Sequence, residues 1–134
     1  MNRRALLKAG LGLAAVGVGQ RAFADYNATR YSPEAFQAAL DSGEPFLLGF
    51  HATWCSTCRT QERAISALMD GNESYAAVKV FNVDWDKYGR TDFAKELRIP
   101  RRSTLVMFSG GKEVGRVIAQ TNKSAIEELF KAAV

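Results

Sequence analysis

After residue 24 the apolar positions of this chain alternate between helical and extended patterns. Ser32-Pro33 opens a first helix, because serine caps free amides and proline is tolerated at the first helical position. Ala35, Phe36, Ala39 and Leu40 then recur at helical spacing, and Gly43 ends the run. Residues 45–51 are nearly continuously apolar, the pattern of a strand covered on both faces. A second helix is predicted to begin at Cys55, to bury Ala64, Ile65, Leu68 and Met69, and to stop at Gly71. Residues 78–84 read as a strand, 91–97 as a short helix and 104–108 as a third strand. Gly110-Gly111 suits a tight reversal into a fourth strand at 113–118. Asn122 caps a last helix whose apolar stripe is Ile126, Leu129, Phe130 and Ala133. Strands alternating with helices, then a hairpin and a helix, predict an α/β domain: a mixed sheet of four to five strands flanked by helices on both faces.

Residues 1–24 stand apart. A basic start at Arg3, Arg4 and Lys8 precedes a Gly/Ala/Leu/Val run of 11 residues (9–19), which leads to small residues at Ala22 and Ala24. This order is that of an export signal, cut before Asp25 to leave one domain at 25–134. The apolar run is about half the roughly 20 residues that a spanning helix needs, so no stable membrane insertion is expected after cleavage. Arg3-Arg4-Ala5-Leu6-Leu7-Lys8 resembles the twin-arginine consensus, with Asn2 where that family prefers Ser or Thr. The weakly apolar middle and Arg21 suit the same route, which implies a periplasmic or otherwise exported protein. The chain has 18 Lys+Arg against 14 Asp+Glu, but this segment holds four of the bases and no acid. What remains is neutral, with no electrostatic reason to bind nucleic acid or anionic surfaces.

The two cysteines, Cys55 and Cys58, lie three residues apart. Such a pair is half a zinc site, a structural disulfide or a redox pair. A structural zinc wants four ligands, and residues 25–134 offer Cys55, Cys58 and the single histidine, His51. A disulfide closing so short a loop removes little entropy from the unfolded chain, so it is a poor staple. Position favours chemistry: the pair follows a buried strand and opens a helix, where free amides and the positive dipole end favour thiolate over thiol. Arg59 adds a nearby positive charge. Cys55 is thus the expected nucleophile, with Cys58 one turn behind to resolve a mixed disulfide.

The segment Phe50-His51-Ala52-Thr53-Trp54-Cys55-Ser56-Thr57-Cys58 resembles a thioredoxin-family active site, in which an apolar strand leads through Ala-x-Trp into Cys-x-x-Cys. Thr104-Leu105-Val106-Met107-Phe108 and Gly110-Gly111-Lys112 resemble that family's last strand pair, and the likeness extends over residues 26–134. It implies a thiol–disulfide oxidoreductase whose redox-active disulfide is its only cofactor. Trp54 would shield the pair, and Arg102, Ser103 and Thr104 would meet substrate.

Three departures from the family pattern bear on function. Ser103 stands where the family has a cis-proline facing the disulfide, and a trans Arg102–Ser103 bond is expected because cis costs a non-proline bond about 2.5–4 kcal/mol. Gly49 replaces a buried aspartate six residues before the first cysteine, leaving His51 either to tune a cysteine or merely to pack. Ala119 replaces a glycine that lines the substrate groove.

Two functions follow. The first is exchange with protein thiols or disulfides of the cell envelope, with a membrane thiol carrier as electron partner. The second is a metal-binding or metal-delivering module, with Cys55, Cys58, Ser103 and His51 approaching Cu(I) or sharing an iron–sulfur cluster across a dimer.

Overall fold

In the computed structural model, which describes residues 28–134, the elements run β1 (Thr29–Arg30), α1 (Pro33–Ser42), β2 (Phe46–His51), α2 (Ser56–Gly71), α3 (Glu73–Ala76) and β3 (Lys79–Asp84). They continue through α4 (Trp85–Tyr88), α5 (Asp92–Glu96), β4 (Thr104–Ser109), β5 (Lys112–Ile118) and α6 (Lys123–Ala133). The expected signal lies outside the described residues. One mixed five-stranded sheet has the order β1-β3-β2-β4-β5. The β1–β3 and β3–β2 pairs are parallel, while β2–β4 and β4–β5 are antiparallel.

The central strand β2 explains the two-layered core. Its side chains alternate, so Leu47 joins one cluster while Phe46, Leu48 and Phe50 join the other. β3 and β4 alternate in step: Val80, Leu105 and Met107 face the first cluster, and Phe81, Val83, Val106 and Phe108 the second. Ile65, Leu68 and Met69 of α2 and Ile126, Leu129 and Phe130 of α6 cover the first face. Ala35, Phe36, Ala39 and Leu40 of α1, with Ala94 of α5, cover the second. Each fully buried large side chain contributes on the order of 1.5–3 kcal/mol, which makes both faces indispensable.

Local chemistry sets the boundaries. The Ser32 hydroxyl accepts from the Ala35 amide at 3.1 Å, and Gly43 closes α1 in the left-handed region at φ 70°. Gly110 and Gly111 both have positive φ, 62° and 75°, as a two-residue hairpin turn requires. Three elements had no sequence signal. β1 is a two-residue strand, α4 is a single turn capped by Asp84, and α3 starts from Asn72, whose Oδ1 accepts from the Ser74 and Tyr75 amides. Among the described residues no helix is long and apolar enough to cross a membrane.

Candidate active site

The run that makes β2 ends at His51, and three residues later the chain turns into α2. Cys55 is not the first helical residue but the cap of α2, with extended backbone (φ −93°, ψ 106°). Its sulfur accepts the Cys58 amide at 3.2 Å, the role a serine or aspartate oxygen plays at other helix starts. Cys58, one turn on, is disulfide-bonded to it. The two sulfurs have different surroundings. Cys55 Sγ faces a donor at the positive end of a 16-residue helix, whereas Cys58 Sγ lies 3.8 Å from the Phe50 carbonyl oxygen. A donor favours thiolate; a carbonyl oxygen opposes it and accepts from the neutral thiol. Cys55 is therefore the better nucleophile of the reduced pair, although each cysteine is only 2% exposed.

Ser103, at the end of the loop that leads into β4, closes the site beside β2. Its hydroxyl oxygen is 3.1 Å from Cys55 Sγ and 3.1 Å from Cys58 Sγ. The described chain contains no cis peptide bond, so the Arg102–Ser103 bond is trans as expected. Ser103 instead has φ 63°, a left-handed conformation that costs a non-glycine residue about 1–2 kcal/mol. Three backbone bonds hold it there. Its amide donates to Phe50 O at 2.8 Å, and its carbonyl accepts from the Ala119 amide at 2.9 Å and from Gln61 Nε2 at 2.8 Å. Ala119 is itself at φ 56°, which accounts for the glycine expected at that position: only glycine adopts it without strain.

The expected substrate contacts separate at this point. Ser103 and Thr104 are both buried, and the Thr104 hydroxyl donates to Arg101 O at 2.7 Å. Thr104, 0% exposed, therefore shapes the loop and has no surface to offer a substrate. Arg102 does reach the surface, with its guanidinium stacked 4.4 Å over the Trp54 ring. Trp54 is 55% exposed, and its indole Nε1 donates to both carboxylate oxygens of Asp86 in α4, at 3.0 and 3.2 Å. A charged stack and a charged acceptor thus fix an exposed aromatic ring beside the disulfide.

His51 leaves the strand toward α2, where its Nε2 sits 3.0 Å from Glu62 Oε1. That hydrogen bond raises the His51 pKa above its ordinary value of 6.5; burial and Arg59 pull the other way, and the Glu62 and Asp84 charges reinforce the rise. His51, Glu62, Gln61, Cys58 and Gly49 line one small cavity of about 10 Å³, on the scale of a single water. A group whose pKa is raised by folding stabilises the fold fully below its unfolded value and loses that contribution as pH rises through the folded value. His51→Asn should therefore narrow the stability gap between pH 5.5 and pH 9. Urea denaturation at both pH values checks this, and an unchanged gap would show that the pair is not an ion pair in solution.

Gln61 and Glu62 had no separate sequence signal, yet they follow Cys58 by three and four residues and so share its helix face. Gln61, 2% exposed, also donates to Gln120 O at 2.9 Å and so ties both the Ser103 loop and the segment after β5 to α2. The metal-binding alternative gains nothing from the geometry. Among the described residues no three His, Cys, Asp or Glu side chains are grouped to hold a metal ion, and His51 is engaged by Glu62.

The thioredoxin family profile matches residues 27–132. The chain is 31% identical over 99 residues to thioredoxin of Echinococcus granulosus, covering 74% of this chain and 87% of that one. It is 29% identical over 97 residues to thioredoxin-1 of Saccharomyces cerevisiae, covering 72% and 88%. Among solved structures, Trxlp from Edwardsiella tarda EIB202 superposes with a TM-score of 0.68 at 32% identity, over 77% of this chain and 98% of that one. The oxidised mitochondrial thioredoxin 3 of Saccharomyces cerevisiae gives 0.65 at 25%, over 78% and 93%. With a disulfide at the start of the helix that follows the central strand of this sheet, the chain belongs to the thioredoxin family and is a thiol–disulfide oxidoreductase of the Cys-x-x-Cys type.

Proposed function

We propose that the chain does this chemistry outside the bacterial cytoplasm, as an exported oxidoreductase acting on proteins of the cell envelope. The observation that carries the proposal is the N-terminal segment: Arg3-Arg4 and Lys8, a short weakly apolar run, and Ala22-Phe23-Ala24 before Asp25. The remaining chain, neutral in charge, supports protein substrates recognised by shape and backbone rather than by a field.

In the proposed cycle the Cys55 thiolate attacks a substrate disulfide and forms a mixed disulfide as one substrate sulfur leaves. The Cys58 thiolate then attacks Cys55 Sγ, releasing the second substrate thiolate and closing Cys55–Cys58. Two electrons pass to the substrate, and a membrane thiol carrier returns them to the pair. Exposed Trp54, with half-buried Arg102 stacked on it, forms the rim against which a substrate chain lies. His51, paired with Glu62, lines the same small cavity as Cys58 and tunes the charge around the thiol that must lose its proton before it attacks.

Export is tested by fractionating bacteria that make the full chain. The wild-type chain is expected in the periplasm, shortened by about 24 residues as a signal-type leader is. Arg3→Lys with Arg4→Lys is expected to leave it full-length inside the cell. A full-length wild-type chain confined to the cytoplasm would sink the envelope assignment and leave the thiol chemistry intact.

A further inference from the structure

We infer that Ser103 is a catalytic residue: its hydroxyl is the hydrogen-bond donor that stabilises the thiolate whenever the Cys55–Cys58 disulfide opens. The inference deepens the oxidoreductase reading and rests on it. Ser103 Oγ lies 3.1 Å from each sulfur, and Ser103 is only 1% exposed. Among the described residues that hydroxyl makes no other hydrogen bond, whereas the amide and carbonyl of the same residue are engaged by Phe50, Ala119 and Gln61. The backbone is thus locked in a left-handed conformation that aims one buried proton at the disulfide and nowhere else.

A hydroxyl carries one proton and here has two sulfur acceptors. Against a neutral disulfide the bond is weak. When an incoming thiolate attacks Cys55 Sγ, a new S–S bond forms, the Cys55–Cys58 bond breaks, and Cys58 Sγ leaves with the electron pair. A second thiol of the donor then displaces Cys55 Sγ, which leaves as thiolate while the donor closes its own disulfide. Rotation about the Cβ–Oγ bond lets the same proton follow the charge from one sulfur to the other. The hydroxyl is not consumed, and no further reactant is needed. A hydrogen bond to an ionised acceptor is roughly twice as strong as one to a neutral acceptor, so Ser103 favours the opened, thiolate form over the closed disulfide.

The consequence is directional. Ser103→Ala is expected to make the disulfide about tenfold harder to reduce in its equilibrium with glutathione, equivalent to about 30 mV toward more negative potential. The pH at which Cys55 becomes alkylable by iodoacetamide is expected to rise by about one pH unit. The other charged groups around the pair stay in place: Arg59 on α2, Asp86 on α4 through Trp54, Arg102 in the loop, and the His51–Glu62 pair behind Cys58. Both readouts therefore report the hydroxyl.

The experiment compares wild type, Ser103→Ala and Ser103→Gly. The glycine variant also lacks the hydroxyl but accepts the positive φ without strain, so it answers the question if the alanine variant does not fold. Parallel shifts in both readouts support the assignment. If the wild type exchanges with glutathione and the variants follow it within threefold, with an unchanged alkylation profile, Ser103 is only a packing residue. A wild type that does not exchange with glutathione at all would remove the oxidoreductase reading, and this inference with it.

Discussion

Cys55→Ser is expected to lower the rate of protein-disulfide reduction by on the order of a thousand-fold or more, the scale on which loss of a covalent nucleophile is felt. Cys58→Ser is expected to fail differently: attack proceeds, and the substrate stays bound to Cys55. The difference follows from what surrounds each sulfur. Cys55 Sγ accepts the Cys58 amide at the start of α2, so its thiolate is stabilised before any substrate arrives. Cys58 Sγ sits by the Phe50 carbonyl oxygen in a buried position, so its thiol keeps its proton until the mixed disulfide has formed. Serine at position 58 cannot displace the substrate sulfur, and the intermediate accumulates. Insulin reduction driven by dithiothreitol measures the first loss. Non-reducing electrophoresis with mass spectrometry of the Cys58→Ser protein measures the second. If the traps were reversed, with Cys55→Ser holding substrate and Cys58→Ser inert, the assignment of attacking and resolving sulfurs would be inverted.

The part of this site that could be read from sequence is the part with local signals. A continuous apolar strand, a helix start and Cys-x-x-Cys together are carried by residues 46–58, and the structure brings them together as expected. The expected start of α2 differs by one residue for a physical reason: Cys55 caps the helix with its sulfur and so lies outside it. Less legible was what long-range folding adds. That Ser103 faces the sulfurs, 45 and 48 residues away, was expected from the family resemblance, but its orientation depends on bonds with Phe50, Gln61 and Ala119 that no local pattern encodes. Thr104, which the family resemblance implied would meet substrate, turns its hydroxyl to Arg101 O inside the fold. The Glu62 partner of His51 was within reach, because four residues along a helix from Cys58 is one turn on the same face.

Phe46→Ala is expected to separate the stability of the fold from the chemistry of the site. Phe46 is 2% exposed, stacks on Phe108 with ring centroids 4.8 Å apart, and meets Phe36 and Phe81 edge-on at 5.8 and 5.6 Å. Truncating such a ring costs about 3–5 kcal/mol, from lost transfer energy and the cavity left among neighbours that cannot collapse into it. For a domain of this size that corresponds to a fall in Tm on the order of 15–25 °C. The site should not register the change. Phe46 opens β2, and at a strand rise of about 3.3 Å per residue it lies roughly 16 Å from the His51 end that leads to the cysteines. Perturbations separated by more than about 7–10 Å without shared partners usually act independently. Thermal unfolding and the glutathione equilibrium, measured on the same variant below its melting range, test both halves. A loss below about 5 °C, little more than a 1 kcal/mol destabilisation gives, would contradict the packing account. A potential that shifts with the melting temperature would mean that the aromatic cluster and the disulfide are one mechanical unit, with β2 as the rod between them.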